Sequence, residues 1–98
     1  MKEFIIDGNK FKNSKSFHKY AEKILTNGLS WETGRNLDAF SELLEGGFGQ
    51  HGFGEKIIIK WINMAKSKEN LSIEFYDSLI KIISEAENVI FERIDYRE

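Results

Sequence analysis

Three short apolar runs along the chain predict β-strands. They are rich in isoleucine, valine and aromatic residues, which fit the pleated surface of a sheet. The runs are Phe4-Ile5-Ile6, Ile57-Ile58-Ile59-Lys60-Trp61 and Val89-Ile90-Phe91-Glu92-Arg93-Ile94. The turn dipeptide Asp7-Gly8 follows the first run and predicts that this strand ends there.

Between these strands, apolar residues recur at the spacing of a helical face. Phe17, Tyr20, Ala21, Ile24 and Leu25, for example, fall at i, i+3, i+4, i+7 and i+8. Residue types that cap a helix start, and Gly or Asn residues that end one, mark the limits of three such segments. The predicted limits are Ser14 to Asn27-Gly28, Asn36 to Gly46-Gly47 and Ser72 to Asn88, with a short helical turn over residues 63–68.

The order of these elements predicts the fold class. Helix separates each strand from the next, which is the arrangement of parallel strands joined by right-handed crossovers. We therefore expect an α/β fold with a small three-stranded parallel sheet packed by helices, in the order βααβ(α)αβ. The chain has 98 residues, enough for one hydrophobic core, and shows no internal repeat or linker, so we expect a single domain over residues 1–98.

Composition narrows the classes of protein. With 41% hydrophobic and 31% charged residues, and no uninterrupted apolar run longer than three residues, the chain resembles neither a disordered tail nor a membrane protein. Cysteine is absent, which excludes disulfides, cysteine nucleophiles and thiolate metal sites. The first residues lack the apolar segment of a signal peptide, so we expect a cytoplasmic protein.

Charge is unevenly distributed, although the net charge is only −2. From Trp31 to Glu55 there are five acids and one base, Arg35, whereas residues 10–23 carry five lysines. This distribution predicts one acidic and one basic face. Ordinary solvated faces would give the same balance, so charge alone does not establish a binding surface.

The polar side of the second helix carries Asp38, Ser41, Glu42 and Glu45 at i, i+3, i+4 and i+7, a row that we call the acidic stripe. Like charges at i,i+4, and acids near a helix C-terminus, both destabilise a helix slightly, and no lysine on the stripe offsets them. Unfavourable local features without local compensation are expected at functional sites. The stripe is therefore a candidate binding face, although the pattern does not by itself separate it from a solvated face. On the opposite side we expect burial of Leu37, Phe40, Leu43 and Leu44.

The segment Gly34-Arg35-Asn36-Leu37-Asp38-Ala39-Phe40 resembles the Gly-x-Asn-Leu-Asp-Ala signature of the barstar family, small bacterial inhibitors of secreted ribonucleases. The similarity in element order extends over nearly the whole chain. The resemblance implies a three-stranded parallel sheet, no enzymatic activity and no cofactor or metal. It also implies an inhibitor, monomeric when free, whose acidic second helix and adjoining loop plug the basic active site of a ribonuclease and mimic RNA phosphates.

Several positions match the family's partner-binding pattern. The resemblance matches Gly34, Asn36, Asp38, Glu42, Gly46 and Glu85 to that pattern. We expect a partner-binding site made of these residues together with Trp31, Arg35, Ser41 and Glu45, which lie beside them in the sequence or on the acidic stripe. The pattern also differs from the family's archetype. Glu32-Thr33 stands where paired aromatics precede the glycine, and Ser41 stands in place of a tryptophan. The glycine-rich loop, residues 46–54, is also longer than in the archetype. An adaptor or regulator of the same fold, bound to another basic protein, also fits, because an acidic helix complements any basic groove.

A match to a nucleotide-binding motif, two histidines and a tryptophan are not interpreted as catalytic or ligand-binding features. Residues 47–52 match G-x-G-x-x-G but follow a helix and precede a strand, the reverse of a dinucleotide-binding turn. We expect a flexible loop there, with Phe48 and Phe53 as candidate contact aromatics, and no metal role for His51. Trp61 is expected in the core, and His18 on the exposed surface.

Overall fold

The computed structural model describes residues 1–28 and 34–94. The strands are β1 (Lys2–Asp7), β2 (Ile57–Ile62) and β3 (Val89–Arg93), and the α-helices are α1 (Ser14–Leu25), α2 (Leu37–Glu45), α3 (Met64–Asn70) and α4 (Ile73–Glu85). A short 3-10 helix, Gly8–Lys10, follows β1. In the described part of the chain, no helix is long and apolar enough to cross a membrane.

The three strands form one parallel sheet in the order β1-β2-β3. Ile57 of the central strand is in register with Lys2 on one side and with Val89 on the other. The predicted α/β class, the parallel sheet and the order of the elements are confirmed. Each crossover carries helix, as parallel strands require.

The core lies between β2 and the three long helices. Along β2, Ile57, Ile59 and Trp61 are completely buried, whereas the alternate residues are only partly so. The Trp61 indole N–H donates to Ser67 Oγ at 3.0 Å, so the buried polar atom is satisfied. The expectation that Trp61 belongs to the core is confirmed. The helices contribute completely buried apolar side chains from α1 (Phe17), α2 (Leu44) and α4 (Leu79, Ile83).

Helix ends follow the predicted capping chemistry with small shifts. Asn36 and Ser72 cap α2 and α4 as predicted. Ser14 is the first residue of α1 and not its cap, because Asn13 takes that role. The Asn13 side chain accepts from the Ser16 N–H at 2.8 Å, and Ser16 Oγ accepts from the Asn13 N–H at 3.1 Å, which forms a capping box.

The expectation for His18 is wrong. Its side chain is buried, with 7% exposed, and packs edge-on against Phe17 and Phe75 with ring centroids 5.7 and 5.5 Å apart. His18 is three residues before the buried Ala21 and seven before the buried Leu25. It therefore extends the apolar face of α1, which is wider than the hydrophobic residues alone indicate.

Candidate partner-binding site

Residues of the signature segment fix the start of α2. Asn36 is extended, with φ −132°, and its side-chain oxygen accepts a hydrogen bond from the Ala39 N–H at 2.8 Å. The carbonyl of Asn36 accepts from the Phe40 N–H at 3.0 Å. This cap satisfies backbone donors that the first helical turn would otherwise leave unpaired. The direction in which α2 leaves the preceding loop is thereby set.

The other end of α2 requires a glycine. Gly46 ends the helix with φ +99°, a conformation that is strained for residues with a Cβ atom. A Cβ atom there would also collide with the Gly52 carbonyl oxygen and the His51 ring. The end of α2 and the glycine-rich loop are thus packed directly together.

The acidic stripe is accessible along its length. Asp38, Glu42 and Glu45 are exposed and Ser41 is partly buried. Among residues 1–28 and 34–94, no lysine, arginine or histidine forms a salt bridge with these three acids. The charge of the stripe is therefore left for solvent or a partner. On the apolar side, the predicted burial holds for Phe40, Leu43 and Leu44, whereas Leu37 is only partly buried.

Arg35 is turned toward the scaffold. Its backbone is left-handed, with φ +50°, and its guanidinium Nε and Nη2 donate to the Glu22 carboxylate at 3.1 and 3.3 Å. Glu22 belongs to α1, and its side chain is only 14% exposed. Arg35 therefore ties the segment before α2 to α1. The neighbouring Gly34 is exposed, and Trp31 lies outside the described residues.

A hollow of about 610 Å³ borders the start of the stripe. Its lining includes His18, Arg35, Asn36, Asp38 and Phe75. Burial lowers the pKa of His18 below its ordinary value; nearby Glu22 acts in the opposite direction and Arg35 in the same direction. His18 and Asp38, the first carboxylate of the stripe, therefore line the same hollow.

A groove borders the other end of the stripe, and we call it the α2–α4 groove. It has a volume of about 550 Å³. Ser41 and Glu45 of α2 line it, as does Glu85 at the end of α4. Predicted site residues from two different helices therefore border the same groove. The groove also contains Phe53, whose side chain is 79% exposed. Glu42 lines neither hollow.

The glycine-rich loop is tethered at several points, unlike the flexible loop that the sequence predicts. The Gly54 N–H donates to the Glu45 carbonyl at 2.7 Å. His51 is buried, with 3% exposed, and its Nε2 is 2.9 Å from the Leu44 carbonyl oxygen. Asn88 donates to the same Leu44 oxygen at 2.8 Å and to the Glu55 carbonyl at 3.0 Å. The loop, the end of α2 and the turn before β3 thus form one hydrogen-bonded unit.

Sequence reasoning missed the tethering roles of His51 and Asn88. Asn88 was predicted to end α4, but that helix ends at Glu85, and the Asn88 side chain instead joins two carbonyls. The Nε2 atom of His51 forms a hydrogen bond with a backbone carbonyl. In the described ranges, no group of three His, Cys, Asp or Glu side chains is arranged to hold a metal ion.

A further hydrogen bond lies within the loop. The Gly52 N–H donates to the Glu55 carboxylate at 2.8 Å, and this hydrogen bond lowers the pKa of Glu55 below its ordinary value.

Fold and surface together define a small α/β protein with an exposed acidic helix face. The protein-family model Barstar, described as barnase inhibitor, matches residues 1–95. The chain therefore belongs to the barstar family, whose members are inhibitors and not enzymes. A comparison with curated proteins finds no match.

Proposed function

We propose that the chain inhibits a secreted basic ribonuclease, as an immunity protein that places its acidic stripe in the active site of the enzyme. The observation that carries this proposal is the exposure of Asp38, Glu42 and Glu45 on one helix, with no neutralising base among the described residues. Membership of a family described as barnase inhibitor supports it.

The chemistry of a ribonuclease site explains why such a stripe would bind. Ribonucleases collect Arg, Lys and His side chains that hold phosphates and stabilise charge in the transition state. Carboxylates on a helix with both ends fixed present the same negative charge with little loss of conformational entropy on binding. Complementary charge also accelerates association, which suits an inhibitor of a toxic enzyme.

Each site residue has a role in this proposal. Asp38 and Glu42 pair with the basic groups of the active site, and Glu45, Ser41 and Glu85 extend the contact along the α2–α4 groove. Gly34, Asn36 and Gly46 shape the backbone at the two ends of α2, Arg35 holds the preceding segment on α1, and Trp31 adds an aromatic contact. The protein would act as a single domain, monomeric when free, in the cytoplasm, before the enzyme is secreted.

Affinity capture followed by an RNA-cleavage assay tests the proposal. The immobilised protein is incubated with lysate and culture medium of the organism that encodes it. We expect capture of a basic protein that cleaves RNA when released and is inactive in the complex. A matched bait with Asp38→Ala and Glu42→Ala should capture none. A captured partner without ribonuclease activity, or one that cleaves RNA equally well in the complex, would contradict the proposal and favour an adaptor or regulator.

A further inference from the structure

We infer that a hollow between α1 and the 3-10 helix binds a compact chain of phosphate groups, such as inorganic triphosphate or the phosphate chain of a nucleotide. We call it the lysine hollow, and its lining residues are Lys10, Ser16, Lys19, Tyr20, Lys23 and Ile24. Its volume is about 420 Å³, within the range of about 300 to 1,000 Å³ that is typical of sites for small ligands. None of these residues lines either hollow beside the acidic stripe, so the inference goes beyond the proposed function and does not rest on it.

The charged side chains of the lysine hollow are all cations. Lys10 belongs to the 3-10 helix, and Lys19 and Lys23 belong to successive turns of α1; all three are exposed. Within the part of the chain that the structure describes, none of them forms a salt bridge and no acid lines the hollow. Asp7, the cap of the 3-10 helix, accepts a hydrogen bond from the Asn63 side chain at 2.8 Å. An entering anion therefore has no ion pair to displace.

The lysines of α1 are unfavourable for the helix that carries them. Lys15, Lys19 and Lys23 follow one another at intervals of four positions, and like charges at this spacing destabilise a helix slightly. The acid of α1, Glu22, is engaged by Arg35. Uncompensated local repulsion is expected where function resides, and a bound anion would remove it.

The positions of the lysines favour a chain of phosphates over a single one. Lys19 and Lys23 are about 6 Å apart along the axis of α1, given a rise of about 1.5 Å per residue. Lys10 approaches from a different element. Each ammonium group acts as a point charge on a long, flexible stem, which is how lysine binds phosphate. A chain of two or three phosphates can contact all three groups at once, whereas a single phosphate has too short a reach.

Tyr20 gives the lysine hollow a fixed wall. Its hydroxyl donates to the Ile5 carbonyl at 2.8 Å and accepts from the Asp7 N–H at 3.1 Å, at the edge of β1 that no other strand covers in the described sheet. Ser16 is likewise held in the capping box of α1. The wall is therefore preformed and uncharged, and only the lysine side chains have to become ordered when an anion binds.

Calorimetric titration with inorganic triphosphate, at low salt and without divalent cations, tests the inference. We expect saturable binding of one triphosphate per chain and much weaker binding of single phosphate ions. Lys19→Gln combined with Lys23→Gln should weaken triphosphate binding about tenfold, since a hydrogen bond to a charged group changes a binding constant by about that factor. Lys10→Gln should also weaken it. Glutamine is a good helix former and removes the repulsion along α1, so the double variant should remain folded.

A matched double variant removes the same charge elsewhere. Lys56 and Lys81 are exposed and do not line the lysine hollow, so Lys56→Gln combined with Lys81→Gln should leave the affinity for triphosphate within about twofold of the wild type. An equal loss of affinity in this control would mean that net charge alone attracts the anion, and would overturn the inference.

Two further outcomes would also overturn it. These are the absence of saturable triphosphate binding, and single phosphate ions that bind as tightly as triphosphate. In either case the lysines would serve only to keep the open edge of β1 from pairing with other chains.

Two more probes separate the sources of a phosphate chain. Adenosine triphosphate should bind about as tightly as inorganic triphosphate, because the hollow recognises the phosphates and not the base. Lys12 and Lys15 are exposed lysines that do not line the hollow. If single-stranded RNA binds more tightly than triphosphate, and Lys12→Gln combined with Lys15→Gln weakens it as much as the hollow variant does, an extended basic surface replaces the hollow and the inference is wrong.

The acidic stripe should have no part in this binding. Asp38→Asn combined with Glu42→Gln should leave triphosphate affinity unchanged or slightly higher, since neither residue lines the lysine hollow and two negative charges are removed. Loss of triphosphate binding in this variant would overturn the assignment to the hollow. Inhibition of a captured ribonuclease depends on the stripe and is measured separately.

Discussion

Glu42 and Leu44 lie two positions apart on α2 and face opposite environments. The Glu42 side chain is exposed on the acidic stripe, whereas Leu44 has no exposed surface and packs in the core. Both conditions had been predicted from helical spacing. Because one residue is exposed and the other lies in the core, we expect that binding and folding can be altered separately on the same helix.

Leu44→Ala should damage folding and leave the binding surface intact. Removing a completely buried leucine loses burial energy and leaves a cavity, which costs about 2 to 5 kcal/mol of the free energy of unfolding. Denaturant unfolding measures this loss. Under conditions where the variant remains folded, calorimetry should give an affinity for the captured ribonuclease close to that of the wild type, and a large loss of affinity would contradict this separation.

Arg35→Ala should lower stability, because it leaves the mostly buried Glu22 carboxylate without its two hydrogen bonds from the guanidinium. The expected cost is about 1 to 3 kcal/mol, the usual range for a lost charged partner. Arg35→Lys is the control: it keeps the charge but cannot reproduce the fork, so it should restore only part of the stability. Full stability of Arg35→Ala in thermal unfolding would show that this tether is unimportant.

His18 should make stability depend on pH. Burial lowers its pKa in the folded state, so between the unfolded and folded pKa values the unfolded chain binds more protons. Its contribution to stability is fully present above the ordinary pKa of about 6.5 and decreases as pH falls through the lower folded pKa. His18→Leu removes the titrating group. Compared with this variant, the wild type should lose stability in urea unfolding as the pH falls from about 7.5 to 5; identical pH profiles would contradict the effect of burial.

Association with the ribonuclease should depend on salt. If the unpaired carboxylates of the stripe attract a basic enzyme, raising salt from low to physiological concentration should slow association by about an order of magnitude or more. Dissociation should change much less. Stopped-flow measurements give both rates, and an association rate indifferent to salt would rule out electrostatic attraction as the cause of fast binding.

Sequence patterns predicted those parts of the molecule that depend on neighbouring residues. Helical spacing identified the buried side of α2, and capping residues such as Asn36 and Ser72 located helix starts. His18 was predicted to be exposed because histidine is a polar residue. Its burial depends on contact with Phe75, which belongs to a helix distant in the sequence. The physical reason is that burial is decided by the surface opposite, which periodicity does not describe.

The features that the sequence did not predict depend on contacts between segments that are distant in the sequence. Asn88 and Leu44 are 44 positions apart, and nothing in either local pattern indicates that they share a hydrogen bond. The α2–α4 groove likewise combines the stripe, the loop and the end of α4. Glu45 and Glu85 were each identified as site residues, but their position on one groove with Phe53 required the folded chain.

The affinity of Glu42→Ala for the captured ribonuclease, measured by calorimetry, tests the central claim most directly. Its stability should stay within about 0.5 kcal/mol of the wild type or rise slightly, since Glu42 is exposed and repels Asp38. Binding should weaken by about 2 to 5 kcal/mol because a basic group of the enzyme is left unpaired. This magnitude is taken from measurements on barnase–barstar, whose inhibitor belongs to the same family. Glu69→Ala, at an exposed acid on α3, is the control and should bind normally. If folded Glu42→Ala binds as tightly as the wild type, the acidic stripe is only a solvated surface and the proposed mechanism is wrong.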